Sequence, residues 1–334
     1  MNDRRVLVTG GAGYIGSHAC KALARAGYTP IAYDNLSAGH TQAVKWGPLV
    51  QADLADRARL AQTLRDQKVT SVMHFAASAY VGVSMKDPSG YFQNNVVNTL
   101  GLLDEMRVAG IGTIVFSSTC ATYGTPDRVP IDETMPQRPI NPYGESKLFV
   151  ERVLKWYAVA YGLSWAALRY FNAAGADPDC EIGEEHDPET HLVPLAIQTA
   201  LGQRSSLDVF GSDYPTSDGT AVRDYIHVTD LAEAHVRALD RLAGSGGELQ
   251  LNLGTGQGHS VRQVIDTVER ASGRRVAQRM APRRPGDPAV LVADAGRANR
   301  ELGWRPAQSD LDTIVRTALA WHRRAATPRR VAAG

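Results

Sequence analysis

A cluster of glycines at residues 10–16 constrains the fold of this chain more than any other feature. It follows the short apolar run 6–9 and precedes a helical run over residues 17–26. A strand, a glycine turn and a helix in this order predict a dinucleotide-binding site. Glycines let the backbone approach a pyrophosphate, and the helix N-terminus stabilises its charge. Two registers fit, Gly11-x-Gly13-x-x-Gly16 and Gly10-x-x-Gly13-x-x-Gly16.

The next predicted strand, residues 29–34, ends in an acidic residue. Asp34 stands eighteen residues after Gly16, close to the spacing at which a carboxylate hydrogen-bonds the adenosine ribose of a dinucleotide. The same carboxylate repels a 2′-phosphate, so the sequence favours NAD over NADP. The alternative interpretation is that Asp34 and Asn35 form only a turn.

Two other predicted strands also end in candidate cofactor residues. Asp53 follows the apolar residues 48–50, and Phe75-Ala76-Ala77 follow residues 71–74. Because the carboxyl ends of parallel strands share one edge of the sheet, these residues are candidates for contact with adenine and with the nicotinamide ribose. The alternative is that they serve packing alone.

A tyrosine and a lysine, Tyr143 and Lys147, lie four positions apart at a predicted helix start. Residues at this spacing share a helix face, so the lysine charge is expected to lower the pKa of the tyrosine and favour the phenolate. The β-branched strand 113–119 ends in hydroxyl residues, with Thr119, or alternatively Ser118, at the mouth of the crevice. These residues predict a phenolate base assisted by a hydroxyl. The alternative is a chance Tyr–Lys pair.

Strands and helices alternate about six times before residue 174. This alternation predicts an α/β fold with a doubly wound parallel (Rossmann) sheet, and it includes one long helix over residues 91–108. Composition changes near Gly175, where the acidic, irregular segment 176–191 crosses to a smaller mixed α/β C-terminal lobe. We expect a dinucleotide domain over 1–175, to which some later segments return, a mainly substrate-binding lobe over 176–325, and a tail over 326–334.

Composition excludes several classes of function. The 36 Lys and Arg nearly balance the 35 Asp and Glu, so a net charge of +1 does not recruit nucleic acid or an anionic membrane. Cys20, Cys120 and Cys180 show no paired spacing, which argues against disulfides or zinc and favours a reducing, cytoplasmic location. The nine histidines lack HExxH spacing, and no metal site is expected. Neither a signal peptide nor a membrane span is expected.

Two arginine-bearing segments are candidate anion-binding groups. Arg223-Asp224-Tyr225 falls in a predicted strand over residues 221–227, and Arg283-Arg284-Pro285-Gly286-Asp287 follows later in the lobe. The planar guanidinium of arginine suits the geometry of a diphosphate. The alternative is that these arginines are solvated surface residues.

With these motifs, and with Phe116-Ser117-Ser118-Thr119 and Tyr170-Phe171-Asn172, the chain closely resembles the UDP-glucose 4-epimerases, which are extended short-chain dehydrogenases. The resemblance runs from residue 6 to about residue 321 and includes residues 213–220 and 281–287. It implies reversible 4-epimerisation of UDP-glucose and UDP-galactose through a transient 4-keto sugar. It also implies a tightly bound NAD that is regenerated each turnover, a UDP-sugar site in the C-terminal lobe, and a homodimer formed through two helices per subunit.

The resemblance assigns roles to individual residues. Tyr143 would be the base, Lys147 its electrostatic partner and nicotinamide-ribose ligand, and Thr119 the hydroxyl that bridges the base and the sugar O4. The implied cofactor-binding residues are Gly10, Gly13, Tyr14, Ile15, Gly16, Asp34, Asn35, Ser37, Asp53, Leu54, Phe75, Ala76, Ala77, Asn95, Ser117, Tyr143, Lys147 and Tyr170. The implied substrate-binding residues are Thr119, Tyr143, Asn172, His191, Leu192, Asp208, Phe210, Arg223, Arg284, Asp287 and Leu291.

The chain departs from this family at three places. Residues 120–123 read Cys-Ala-Thr-Tyr, where many relatives have another order of small residues. Ala79 stands where some epimerases have a lysine near the cofactor phosphates, so that contact is expected to be missing. Leu291 stands where the family has a tyrosine that excludes N-acetyl groups or a small residue that admits them. UDP-xylose, UDP-arabinose and UDP-N-acetylhexosamines therefore stay open as alternative substrates.

Two other functions share these motifs. A nucleotide-sugar 4,6-dehydratase begins with the same oxidation, but it usually needs an acidic pair after the position of Thr119. Cys120 and Ala121 provide no carboxyl group there. A non-catalytic NAD-sensing protein of the same fold is disfavoured because Tyr143 and Lys147 are both present.

Overall fold

The computed structural model describes residues 4–284 and 287–325. The α-helices in this part of the chain are α1 (Tyr14–Arg25), α2 (Arg57–Asp66), α3 (Val81–Ser84), α4 (Pro88–Phe92), α5 (Asn98–Val108), α6 (Pro142–Tyr161), α7 (Leu192–Ala200), α8 (Val228–Ser245), α9 (Val261–Ser272), α10 (Gly296–Leu302) and α11 (Leu311–Ala325). The strands are β1 (Arg5–Thr9), β2 (Thr29–Asp34), β3 (Leu49–Gln51), β4 (Ser71–His74), β5 (Thr113–Thr119), β6 (Ser164–Tyr170), β7 (Asn172–Ala174), β8 (Leu207–Phe210), β9 (Val222–His227), β10 (Glu248–Leu253), β11 (Gly258–Ser260), β12 (Gln278–Ala281) and β13 (Val290–Leu291).

Seven strands form one sheet in the order β10-β6-β5-β4-β1-β2-β3, and every neighbouring pair is parallel. Consecutive residues of β1, such as Val6, Leu7 and Val8, are all buried, which shows that both faces of the sheet are covered. Parallel strands covered on both faces are apolar throughout, as these are. The predicted doubly wound parallel sheet is therefore confirmed.

The order of strands reverses at β1. Strands β2 and β3 lie on one side of it, and β4, β5 and β6 lie on the other. In an open α/β sheet, ligands bind outside the carboxyl ends of the strands at such a reversal. The residues that follow β1, β2, β4 and β5 therefore face one crevice.

Three apolar cores hold the fold together. One lies between the sheet, α1 and α8, and includes Leu23 and Leu239; a second lies on the opposite face and includes Ile114 and Leu154. The later strands form two smaller sheets: β11-β9-β13, with β7 beside β9, and the pair β12-β8. The third core packs α7, α9 and α11 on these strands around Tyr225. Although they come late in the chain, β10 and α8 pack with the main sheet.

The expected continuous helix over residues 91–108 is interrupted. A π-helical turn, Gln93–Val97, separates α4 from α5. This turn directs Asn95 inward, where the residue is 2% exposed. The sequence pattern predicted one continuous helix and missed this turn. Such turns frequently occur at functional positions.

Some residues considered above lie outside the described part of the chain. They are residues 1–3, Pro285 and Gly286 of the second arginine segment, and the tail 326–334. Within the ranges that are described, every helix is too short or too polar to cross a lipid bilayer.

Candidate functional site

The glycine turn between β1 and α1 has the geometry of a phosphate site. Gly10 has φ of 72°, in the left-handed region that favours glycine. A Cβ on Gly16 would lie 2.0 Å from the carbonyl oxygen of Gly10, so a side chain does not fit there. Helix α1 has no side-chain cap and no acidic residue in its first turn. Its first N–H groups and the positive end of its dipole therefore fit the pyrophosphate of a dinucleotide.

Asp34, expected at the adenosine ribose, and Asp53, expected at adenine, lie together at the ends of β2 and β3. The buried carboxylate of Asp34 accepts hydrogen bonds from the N–H groups of Ala12 at 2.9 Å and Leu36 at 2.8 Å. The side-chain amide of Asn35 donates to the Asp53 carboxylate at 2.7 Å, and the side-chain oxygen of Asn35 accepts from the N–H of Ser37 at 3.0 Å. Asp34 is thus tied to the glycine turn through its neighbour Ala12.

The end of β4 lies directly against the glycine turn. A Cβ on Gly10 would lie 2.8 Å from the backbone nitrogen of Ala76, within the predicted Phe75-Ala76-Ala77 segment. The Asn95 side chain fixes the chain just beyond this segment, because it bonds both the N–H and the carbonyl of Ser78, at 2.8 and 2.9 Å. Its amide also donates to Ser146 at 3.1 Å. The sequence did not identify Ser78 and Ser146 as supports.

The remaining predicted cofactor residues lie around this crevice. The Tyr14 hydroxyl donates to the carbonyl of Gly175 at 2.7 Å, which joins the start of α1 to the end of the predicted dinucleotide domain. The Tyr170 hydroxyl and the Ser117 hydroxyl are 2.5 Å apart. Two others, Ile15 and Leu54, pack in the apolar cores.

Tyr143 lies in the first turn of α6, beside the end of β5. The Asn141 side chain caps this helix by accepting a hydrogen bond from the N–H of Gly144 at 2.8 Å. The Thr119 side chain lies close enough to the Tyr143 phenol to act on its pKa in the lowering direction, and its oxygen accepts a hydrogen bond from the N–H of Ala121 at 3.1 Å. The structure therefore brings the phenol and the threonine hydroxyl together.

The ionisation of Tyr143 and Lys147 differs from the expectation. Burial raises the pKa of the Tyr143 phenol, and burial lowers the pKa of Lys147 to about 7. The Lys147 amine donates to the carbonyl of Ser117 at 2.9 Å and lies 4.8 Å from the centroid of the Phe116 ring. The expectation that Lys147 lowers the pKa of Tyr143 is thus wrong for this structure, because removal from water dominates both groups.

A buried ionic network supports the end of β5 from behind. Arg169 and Glu151, whose side chains are 2% and 4% exposed, form a bidentate pair at 2.9 and 2.5 Å. Glu151 also accepts from Ser118 at 2.5 Å, and Arg169 donates to Tyr123 at 2.9 Å. The sequence analysis missed this network. The one feature of the sequence that could have indicated the network is an arginine, Arg169, at the end of an otherwise apolar, buried strand.

Four of the expected UDP-binding residues lie in two pairs. Arg223 of β9 forms a hydrogen-bonded ion pair with Asp287. The guanidinium carbon of Arg284 lies 4.1 Å from the centroid of the Phe210 ring, in a cation–π arrangement. Each arginine is thus held in place by a partner and offers further N–H donors to an anion.

Leu291 connects this half of the site to the reactive hydroxyls. It pairs with Arg223 in the register of β13 and β9, and it packs in a small apolar cluster with Cys120 and Phe171. Since Cys120 follows Thr119 directly, this cluster brings Leu291 near Thr119 as well as near Arg223.

The other expected substrate residues make intramolecular contacts. The Asn172 amide donates to a carbonyl of β9 at 3.1 Å, and His191 is hydrogen-bonded to the buried Glu184. Leu192 packs on the third core. Asp208 pairs at 2.7 Å with an exposed arginine on the neighbouring strand β12.

Comparisons with known proteins bear on this site. The profile of the NAD dependent epimerase/dehydratase family matches residues 6–254. The UDP-glucose 4-epimerase of Rhizobium meliloti (strain 1021) is 53% identical over 97% of this chain and 98% of its own length. Among solved structures, the UDP-glucose 4-epimerase from Brucella ovis in complex with NAD is 55% identical, with a TM-score of 0.93 over 95% of this chain and 98% of that one. The enzyme from Bifidobacterium longum in complex with NAD+ and UDP is 38% identical, with a TM-score of 0.92 over 96% and 98%.

Proposed function

The chain belongs to the NAD dependent epimerase/dehydratase family, and from this premise we propose that it catalyses reversible, NAD-dependent 4-epimerisation of UDP-glucose and UDP-galactose through a transient 4-keto sugar. One observation carries the chemistry. The Tyr143 phenol lies beside the Thr119 side chain, one helical turn from Lys147, at the crevice that the glycine turn also faces. A proton-transfer group beside a dinucleotide site suits the oxidation of an alcohol.

The residues of the glycine turn fit NAD. NAD, when bound, would supply the reversible hydride acceptor for the oxidation and reduction at C4 of the sugar. The turn and the start of α1 would hold the pyrophosphate, and Asp34 would hydrogen-bond the adenosine ribose. Lys147 would bind the nicotinamide ribose.

Tyr143 transfers the proton in both directions. It takes the proton of the 4′-hydroxyl, directly or through Thr119, as the C–H bond at C4 breaks, and it returns that proton to O4 when the C–H bond reforms. The raised pKa keeps the proton on the phenol after the forward step, so the proton is available to the more basic alkoxide oxygen that forms at C4 in the return step. Burial outweighs any effect of Lys147 on the Tyr143 pKa in the structure without ligand; a Lys147 that is protonated during the forward step would offset part of the cost of the phenolate, because an opposite charge stabilises the ionised form.

The substrate is held by UDP rather than by the sugar. We place the diphosphate and uridine against Arg223, Arg284 and Phe210, where the guanidinium groups are pre-positioned by Asp287 and by stacking on the aromatic ring. Firm contacts at UDP and few at the sugar leave the 4-keto sugar able to turn within the pocket. Leu291 borders the sugar and is the proposed determinant of N-acetyl tolerance.

Replacement of Tyr143 tests the reaction. Purified wild type and Tyr143→Phe are incubated with UDP-galactose, and UDP-glucose is resolved by chromatography. The variant should lose about 10²–10⁴-fold in kcat, the range typical of general acid–base catalysis, while the NAD content stays equal. Tyr157→Phe, on the same helix, removes only a hydroxyl that bonds Asp104 and should match wild type. Full activity in Tyr143→Phe would refute the assigned role.

The range of substrates needs a separate assay. UDP-galactose, UDP-N-acetylgalactosamine and UDP-xylose are incubated individually with wild type and with Leu291→Gly. The variant should gain activity on the N-acetylated sugar relative to UDP-galactose, because the smaller residue leaves room beside Cys120. An unchanged ratio would remove Leu291 from the sugar pocket.

The protein is also proposed to be a homodimer that associates through α5 and α6. Phe149 and Trp156 lie seven residues apart on one face of α6, and they are 45% and 70% exposed. Val108 of α5 is 69% exposed. Exposed apolar residues gathered on helices mark association surfaces. Trp156→Glu should shift the protein from dimer to monomer in light scattering, whereas Met280→Glu, an exposed apolar position on β12, should leave a dimer. A dimeric Trp156→Glu variant would place the interface elsewhere.

A cytoplasmic location completes the proposal. Cys20, Cys120 and Cys180 are all unpaired in the structure, and oxidising compartments favour disulfides. Fractionation of the native cells should recover the epimerase activity with the cytoplasmic fraction, and recovery from an extracytoplasmic fraction would contradict the proposal.

A further inference from the structure

Two glutamates and two histidines gather in the segment that leads into α7. They are Glu184, His186, Glu189 and His191, and one ligand-type atom from each lies within 4.8 Å of the others. The proposed epimerisation uses only His191 of this group. We call these four residues the His–Glu cluster.

Two atoms of the cluster are buried without a hydrogen-bond partner. They are Nδ1 of His186 and Oε2 of Glu189. The side chains of Glu184 and Glu189 are each 4% exposed, so two carboxylates are removed from water at one place. Buried charges in proteins are paired or coordinate metals. These two atoms lie 3.7 Å apart, beyond hydrogen-bond distance, and an ion between them could bond to both.

A second acidic group in the same segment offers a contrast. Asp177, Asp179 and Glu181 converge on Nζ of Lys21, at 2.7, 2.9 and 2.6 Å. The chain supplies its own cation there. In the His–Glu cluster, the salt-bridge partners that the structure describes are the histidines of the cluster itself.

We propose that the His–Glu cluster binds one divalent transition-metal ion, such as zinc or manganese. Zinc bonds to histidine nitrogen and carboxylate oxygen are about 2.1 Å long, so the ligand atoms of a tetrahedral site are about 3.4 Å apart. Nδ1 of His186 lies 3.3 Å from Oε1 of Glu184 and 3.7 Å from Oε2 of Glu189. Nδ1 of His191 lies 3.5 Å from Oε1 of Glu189 and is hydrogen-bonded to Oε1 of Glu184, so an ion that takes both as ligands would replace the proton between them and move the two atoms apart. Imidazole ligands favour such metals over calcium or magnesium.

The ion would fasten the crossing segment to the dinucleotide half. The His186 ring lies 6.2 Å from the rings of both Tyr14 and Tyr80, centroid to centroid, and Tyr14 follows the glycine turn. The carbonyl of Glu184 accepts from the indole of Trp321 in α11 at 3.2 Å. Binding therefore stabilises the folded chain and fixes His191 at the entrance to α7. The role is structural, and the epimerase chemistry does not require it.

Metal titration of the full-length protein tests the proposal. Wild type is dialysed against a chelator and then titrated with zinc chloride, and separately with manganese chloride, by isothermal titration calorimetry. Saturable binding of one ion per chain and a higher thermal midpoint are expected, because a ligand that binds only the folded state stabilises it. The absence of saturable binding by both ions would overturn the proposal.

Three variants identify the ligands. Glu189→Gln and His186→Asn should each weaken binding by more than about 100-fold, since even outer-sphere partners of metal ligands typically contribute 10–100-fold. Asp179→Asn removes a carboxylate from the Lys21 group and should bind like wild type. Two ligand variants keep the test decisive if one of them does not fold. Wild-type affinity in a folded ligand variant, or a loss as large in Asp179→Asn, would overturn the assignment.

Discussion

The buried pair between Arg169 and Glu151 gives a prediction whose size follows from the structure. Arg169 makes two hydrogen bonds to Glu151, one to Tyr123 at 2.9 Å and one to Gln250 at 3.0 Å. Arg169→Met removes all four while it keeps most of the side-chain volume. The Glu151 carboxylate then stays buried beside Ser118 without its cation.

The expected loss is large. Removing one partner of a buried ion pair costs about 3–5 kcal/mol, because an uncompensated charge remains in a medium of low dielectric. For a protein of this size, 1 kcal/mol corresponds to roughly 2 °C in the thermal midpoint, so Arg169→Met should melt about 6–10 °C below wild type. Replacing both residues, in Glu151→Leu with Arg169→Met, removes the charge together with its partner and should recover at least half of that loss.

Scanning calorimetry at saturating NAD measures these midpoints under matched conditions. The control is Arg57→Met, which breaks a pair with Glu105 whose side chains are 44% and 17% exposed. Exposed pairs contribute about 0.2–1 kcal/mol, so this variant should shift the midpoint by no more than about 2 °C. The reasoning fails if Arg169→Met melts within 2 °C of wild type, or if the double variant melts no higher than the single one.

Three further predictions concern the site. Burial lowers the pKa of Lys147 to about 7, so above that pH the unfolded state binds more protons than the folded state, and the stability of wild type rises towards pH 9. The thermal midpoint of Lys147→Met should therefore rise less than that of wild type between pH 7 and 9. An equal rise in both proteins would contradict the burial argument. Gly16→Ala should abolish NAD binding in a fluorescence titration, because the new Cβ would lie 2.0 Å from the backbone oxygen of Gly10. Gly112→Ala has open space around the new Cβ and should bind NAD normally. Equal NAD binding by the two variants would refute the close approach. Arg284→Ala should raise KM for UDP-galactose about 10–100-fold at unchanged kcat, since a hydrogen bond to a charged group contributes roughly 1.5–3 kcal/mol. Arg283→Ala should have little effect. An unchanged KM in Arg284→Ala would remove Arg284 from the diphosphate site.

The sequence predicted those parts of the fold that depend on local patterns. Strand β1, the glycine turn and α1 form because apolar side chains, glycines and helix formers follow one another within 25 residues. Six strands of the main sheet were identified before residue 174 for the same reason, and a parallel sheet with short connections has few possible strand orders. The proximity of Tyr143 and Thr119 followed from one further rule, that carboxyl ends of parallel strands share an edge.

Features that depend on contacts between distant segments were not predictable in this way. The pairing of Arg223 with Asp287 joins positions 64 residues apart, and each side chain alone suggested a contact with substrate. The π turn that holds Asn95 interrupts a segment that the sequence pattern assigned to one continuous helix. The spacing of the His–Glu cluster matches no known metal-binding motif, so the sequence did not indicate that its four side chains meet.

The ionisation of Tyr143 and Lys147 shows why spacing alone misled. Four residues on a helix place two side chains on one face, but the pKa depends on whether that face meets water. Here burial acts on both groups, raising the pKa of the phenol and lowering that of the amine, so near pH 8 the pair is neutral and holds one transferable proton. Moving that proton from the phenol to Lys147 creates two opposite charges, whose attraction offsets part of the desolvation. We therefore expect Tyr143 to be protonated in the protein without ligand, and a ligand that stabilises the charge pair to promote the transfer.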